Sequence, residues 1–107
     1  MEMEQKDKGR HKIIALSGEL DLYNVGKLKK EIQPLLKEEV SSLVIDLTNL
    51  KYMDSSGIAL MAHCRKKMLE KNGEFALMGV GQDIINVLRL AALEQFFTFI
   101  ESEDKLP

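Results

Sequence analysis

The chain has 107 residues, with 15 lysines and arginines against 17 aspartates and glutamates, a formal net charge of −2, and a single cysteine. At 45% apolar and 30% charged residues it is large enough to form one domain, spanning residues 1–107, with its own core and no need of disulfide or metal. The near-balanced charge gives no reason to seek nucleic acid or an anionic membrane, the lone Cys64 excludes an internal disulfide, and no apolar run is long enough to span a bilayer. The expectation is a cytoplasmic protein.

Met1–Arg10 is polar and by itself reads as a disordered tail. Lys12–Ser17, with Ile13, Ile14 and Leu16, reads as a strand. After Gly18-Glu19-Leu20-Asp21, Asn24 is placed to cap a helix whose Val25, Leu28, Ile32 and Leu35 recur at helical spacing, while Lys27, Lys29, Lys30 and Glu31 face water. Pro34 should kink or loosen its last turn. Leu43–Leu47 is a short apolar run suited to a strand buried on both faces. From Ile58 the period changes to helical, with Ile58, Met61, Ala62, Arg65, Met68 and Leu69 on one face. The segment between is a strand-to-helix connection, and Asp54-Ser55-Ser56-Gly57 ends it. Asp54 and Ser55 are both good caps for the unpaired N–H groups there.

That helix should run to about Asn72, with Arg65, Lys66, Lys67 and Lys71 complementing the dipole near its end and Gly73 taking the left-handed conformation that closes it. Phe75–Met78 reads as a strand, Gly79 and Gly81 as a turn, and Asp83 as the cap of a helix with Ile84, Val87, Leu88 and Ala91 inward. Phe96–Ile100 is a last β-prone run, and 101–107 a frayed tail. Strands alternating with helices argue an α/β domain: a central mixed, mostly parallel sheet of four to five strands with three to four packed helices. In such sheets functional surfaces gather beyond the carboxyl ends of the strands.

Catalytic chemistry finds little material. A serine nucleophile needs a base held by a third group, and His11 and His63 are not placed by the pattern to serve Ser55. Asp21 and Asp54 as an acid–base pair lack any suggested substrate pocket. One cysteine and two scattered histidines match no metal-ligand spacing, and no phosphate-cradling glycine loop occurs, so neither metal nor cofactor is expected. Cys64 and the set Met53, Met61, Met68 and Met78 read as core filling, and Arg65-Lys66-Lys67 as a solvated helix face.

Two readings of Asp54-Ser55-Ser56-Gly57 therefore compete: a helix cap with no further role, or a modification site whose phosphate would lie over the helix N-terminus. Three blocks bear on the choice. "LVIDLTNLKYMDSSGIAL", "LSGELDLYN" at Leu16–Asn24 and "NVLRLAALEQFF" at Asn86–Phe97 stand in the order and spacing of the STAS domain, and most resemble its bacterial anti-sigma factor antagonists. The likeness runs from about His11 to Ile100. It implies an edge strand within Met1–Arg10. It also implies a protein that, unphosphorylated, binds an anti-sigma factor that is itself a serine kinase and so frees a sigma factor. The phosphate acceptor would be Ser55, the partner surface Asp21, Asn24, Asp54, Ser55, Ser56 and Gly57, with a serine phosphatase to reverse the switch and a monomer when free. The alternative within the same family is an accessory subunit of a transporter or larger signalling assembly, without phospho-switching. The chain departs from the family pattern at Ala59, where a second glycine is common, at Ala91-Ala92-Leu93, where a Gly-Leu pair is usual, and in its short, polar N-terminal strand.

Overall fold

A computed structural model describes all residues, Met1–Pro107. Five strands lie side by side in chain order: β1 (Glu2–Lys8), β2 (His11–Leu20), β3 (Ser42–Met53), β4 (Glu74–Met78) and β5 (Phe99–Ile100). β1 is antiparallel to β2, and every later pairing is parallel. The crossovers are α1 (Val25–Lys37), α2 (Ser55–Glu70) and α3 (Gln82–Leu90). Each crossover steps one position in the same direction, and such connections are right-handed, so all three helices cover the same face of the sheet.

The core follows from this. Ile14 and Leu16 of β2, Leu43, Ile45 and Leu47 of β3, and Phe75 and Leu77 of β4 alternate onto the helix-covered face. They meet Leu28, Ile32 and Leu35 of α1, Ile58, Met61, Cys64 and Met68 of α2, and Ile84 and Leu88 of α3. Ile13, Val44 and Met78 point the other way and are covered by Ile100 and Leu106. The C-terminal segment is therefore no frayed tail. It forms a single 3-10 turn at Glu103–Lys105, pairs Glu103 with Lys6 at 2.5 Å, and brings the Pro107 carbonyl to Nε2 of the buried His11 at 2.8 Å. The other ring nitrogen of His11 lies 2.6 Å from the Ser42 hydroxyl. No helix is long and apolar enough to cross a membrane.

Several element ends differ from the sequence reading. Met1–Arg10 holds a paired edge strand, in register Glu2↔Ser17 to Lys8↔His11, as the family resemblance implies and contrary to the free tail that its polar composition alone suggests. β2 runs on through Gly18, which takes φ +88°, and β3 continues six residues beyond Leu47 to Met53. In that extension Leu47, Leu50 and Met53 are buried at a spacing of three, which a regular strand cannot give. Register shifts between Ala15 and Ser17 and between Gly18 and Glu19 supply it, as bulges do. α1 passes through Pro34 to Lys37, because the ring lies near the helix end and removes only one internal hydrogen bond. Asn72, at φ +61°, takes the left-handed position in place of Gly73. Gly73 instead gives space: a Cβ there would lie 3.1 Å from the Ser41 carbonyl oxygen.

The buried stripe of α2 is also displaced from the expected one. Leu60 and Cys64 are buried, whereas Leu69 is exposed and Arg65 only half-buried. Helix α2 packs on α1 as well as on the sheet, which widens the face that must be apolar. Gly81 rather than Asp83 occupies the N-cap of α3, and Ala91 is exposed just past its end. Phe96 and Phe97 form no strand: Phe97 packs edge-on against Phe96 at 5.0 Å and tilts against Phe75 at 6.3 Å. Arg65 lies 4.2 Å over the Phe96 ring, so the basic face of α2 is partly engaged rather than wholly solvated. Lys71, expected to serve its own helix, donates to the Leu35 and Glu38 carbonyls at the end of α1, at 3.2 and 2.7 Å.

Candidate functional site

The loops after β2 and β3 open on the same sheet edge, and one carboxylate joins them. Asp54 is the N-cap of α2. Its Oδ1 accepts from the Ser56 N–H at 2.9 Å, the Ser56 hydroxyl at 2.5 Å and the Gly57 N–H at 3.3 Å. Its Oδ2 accepts from the Leu22 N–H at 3.0 Å, across the edge. The Asp54 N–H in turn donates to the Leu20 carbonyl at 3.1 Å. The Ser56 hydroxyl, helped by the N–H groups of Leu22, Gly57 and Ser56, holds the Asp54 carboxyl below its usual 3.8.

These contacts give the two serines different states. Ser56 is half-buried and its hydroxyl is committed to Asp54. Ser55, the first residue of α2, is exposed, and its hydroxyl makes no hydrogen bond within the protein. Asp54 does the capping, so the second cap candidate of the sequence, Ser55, is left free. Gly57 is buried under the motif, where a Cβ would stand 2.6 Å from Met53 Cγ and 2.9 Å from Leu20 Cδ2. Space is what demands glycine at this position, since its φ is not positive.

The second loop is built by Asp21 and Asn24. Asp21 Oδ1 accepts from the N–H groups of Tyr23 at 3.0 Å and Asn24 at 3.3 Å. Asn24 stands at the N-cap of α1 but does not cap it. Its Oδ1 accepts from the Asp21 N–H at 2.9 Å and its Nδ2 donates to the Glu19 carbonyl at 2.8 Å. The side chain the sequence assigns to the helix therefore closes the loop. Thus Asp21 and Asn24, in the loop after β2, and Asp54, Ser55, Ser56 and Gly57, at the cap and first turn of α2, are held together through Asp54. Leu22 and Tyr23, between them, escaped the sequence reading. They are 70% and 95% exposed. The available signal was two apolar residues falling outside both the strand and the helix period.

The surroundings suit a surface more than a reaction chamber. Beside the motif a shallow depression of about 300 Å³ is lined by Val25, Lys29, Ser56, Ala59, Leu60 and His63. No group of three or more His, Cys, Asp or Glu side chains is placed to hold a metal. Cys64 is buried, and burial pushes its thiol up to about 12.

The family model described as the STAS domain matches residues 2–106. The anti-sigma-B factor antagonist of Listeria monocytogenes is 26% identical over 106 residues, covering 99% of this chain and 92% of that protein. Among solved structures, the unphosphorylated anti-sigma factor antagonist SpoIIAA is 21% identical with a TM-score of 0.82, covering 96% of this chain and 91% of that one. The phosphorylated form of the Bacillus cell fate determinant SpoIIAA is 20% identical with a TM-score of 0.76, covering 96% and 95%.

Proposed function

The chain belongs to the STAS domain family, and from that premise we propose that it is an anti-sigma factor antagonist switched by phosphorylation of Ser55. In this reading the unphosphorylated protein, a cytoplasmic monomer when free, binds an anti-sigma factor that is a serine kinase and thereby releases a sigma factor. The observation that carries it is the unequal pair of hydroxyls: Ser56 is held by Asp54, while Ser55 is exposed and unengaged at the start of α2. The names of the curated relatives agree in kind.

The chemistry is direct. The Ser55 hydroxyl attacks the γ-phosphorus of the kinase's nucleotide, ADP leaves with the bridging oxygen, and the hydroxyl proton passes to a base on the kinase. Asp54 and Asp21 hold the two loops in place. The product carries about 1.5–2 negative charges at neutral pH. They sit beside the Asp54 carboxylate and face the nucleotide phosphates from which the group came, so the complex loses electrostatic complementarity. A serine phosphatase restores the binding form. The protein acts as a binding module and not as an enzyme.

The test takes the kinase-fold anti-sigma factors of the source genome one by one with ATP and locates phosphate by mass spectrometry. Phosphate is expected on Ser55 of the wild type and of Ser56→Ala, and on no residue of Ser55→Ala. Ser55→Ala should still bind the kinase, whereas Ser55→Asp, which retains a cap-competent charge, should bind more weakly. Equal affinities for the two would reduce Ser55 to part of a helix start and favour an accessory-subunit role.

A further inference from the structure

Leu22 and Tyr23 are exposed to 70% and 95%, and only Leu90, at 89%, is comparable among large apolar side chains. Their backbone is not loose. The Leu22 N–H is held by Asp54, the Tyr23 N–H by Asp21, and the loop is closed by Asn24 onto Glu19 and Asp21. These contacts fix the backbone of the loop while leaving both apolar side chains largely in solvent. A rigid loop presenting an aromatic ring gives up little conformational freedom on binding, which is how a few anchoring residues come to dominate an interface. Glu19 and Asp21 precede the pair in sequence, and neither takes part in an ion pair within the chain.

From this we infer that Leu22 and Tyr23 are the affinity anchors of the partner interface, seated in an apolar pocket rimmed by lysine or arginine on the serine kinase. The inference rests on the proposed function and adds to it. Ser55 carries the switch, while the loop across the Asp54 bridge carries the grip and the choice of partner. The contact from the Leu22 N–H to Asp54, the residue before Ser55, makes the two parts one continuous surface.

The experiment uses the full chain and the kinase that phosphorylates Ser55, with affinity read by titration calorimetry. Tyr23→Ala is expected to weaken binding about 30-fold and Leu22→Ala about tenfold, as for central interface anchors. Melting temperatures should stay near that of the wild type, since both side chains are solvated. Tyr23→Phe should restore most of the affinity. Leu90→Ala is the control: α3 ends at the opposite edge of the sheet from the motif, and its affinity should be unchanged. In phosphorylation assays Tyr23→Ala should raise KM in proportion and leave kcat alone, the signature of lost binding rather than lost chemistry. Wild-type affinity in Tyr23→Ala, or a loss in Tyr23→Phe as large as in Tyr23→Ala, overturns the anchor while leaving the switch intact. Failure of every such kinase to bind or phosphorylate the wild type overturns both.

Discussion

Substituting Gly57 tests the packing beneath the motif. In an exposed helix, Gly→Ala stabilises by roughly 0.5–1 kcal/mol through propensity. Here the added methyl would stand 2.6 Å from Met53 Cγ and 2.9 and 3.0 Å from Leu20 Cδ2 and Cγ. Both neighbours are themselves buried, Met53 at 2% and Leu20 at 0% exposure, so neither has open space to enter. Forcing a methylene-sized group into a filled core costs about 1–3 kcal/mol. The two terms leave Gly57→Ala destabilised by roughly 1–2 kcal/mol. At about 4–8 °C per kcal/mol for a domain of this size, the melting temperature should fall by roughly 5–15 °C. Urea unfolding should show a lower midpoint with an unchanged slope. The same substitution in a Met53→Ala background should become neutral or stabilising, giving a coupling of at least about 1 kcal/mol in the double-mutant cycle. A Gly57→Ala protein as stable as wild type, or an equal penalty in both backgrounds, would refute the steric account. Because Gly57 follows Ser55 by two residues, the variant should also be phosphorylated more slowly.

Three further outcomes follow from the geometry. Asp54, Glu94 and Glu103 have carboxyls held below their usual values, by the Ser56 hydroxyl, Arg89 and Lys6 respectively. A depressed folded-state value stabilises above the unfolded-state value and is lost as pH falls through the folded one. Chemical denaturation should therefore give a plateau above about pH 5 and a decline beginning near the usual 4.5 and 3.8 and continuing below them. Asp21→Asn keeps an oxygen for the Tyr23 and Asn24 N–H groups, so its melting temperature should match wild type while kinase affinity or phosphorylation rate changes. An unaltered rate and affinity would remove the Asp21 charge from the site. Cys64, with its thiol pushed up to about 12 and buried, should resist iodoacetamide at pH 8 in the folded protein and react in urea. Rapid labelling of the folded chain would contradict its burial.

The fold class was legible because Leu43–Leu47 and the residues after Ile58 carry unlike periods, and the family blocks ordered the rest. The misreadings share a physical cause, the competition between local and tertiary uses of one side chain. Asn24 looks like a helix cap, yet its amide closes the loop between Glu19 and Asp21. Lys71 looks suited to its own helix, yet it reaches the carbonyls ending α1. Phe96 and Phe97 look β-prone, yet ring packing on Phe75 and Arg65 takes them out of the sheet. At the site, the cap pattern alone leaves Ser55 and Ser56 alike, and only the family resemblance assigns the phosphate to Ser55. That the Ser56 hydroxyl lies 2.5 Å from Asp54 while Ser55 is exposed is a difference the sequence could not show. Nor could it show the bond from Leu22 to Asp54, whose partners are 32 residues apart.

The sequential strand order has a kinetic consequence. Each strand pairs with the one synthesised before it, so no pairing waits for a segment much further along the chain. Loop closure at every step spans only one strand–helix–strand unit, which keeps the entropic barrier of each addition small. The two loops of the site belong to the β2–α1–β3–α2 portion, and their joining contact lies wholly within it. Assembly from the N-terminus would thus set Asp54 against Leu22 before β4, α3 or β5 has docked. Substitutions in the later elements should therefore speed unfolding while leaving the refolding rate nearly untouched, whereas substitutions in the β2–α1–β3–α2 portion should slow refolding.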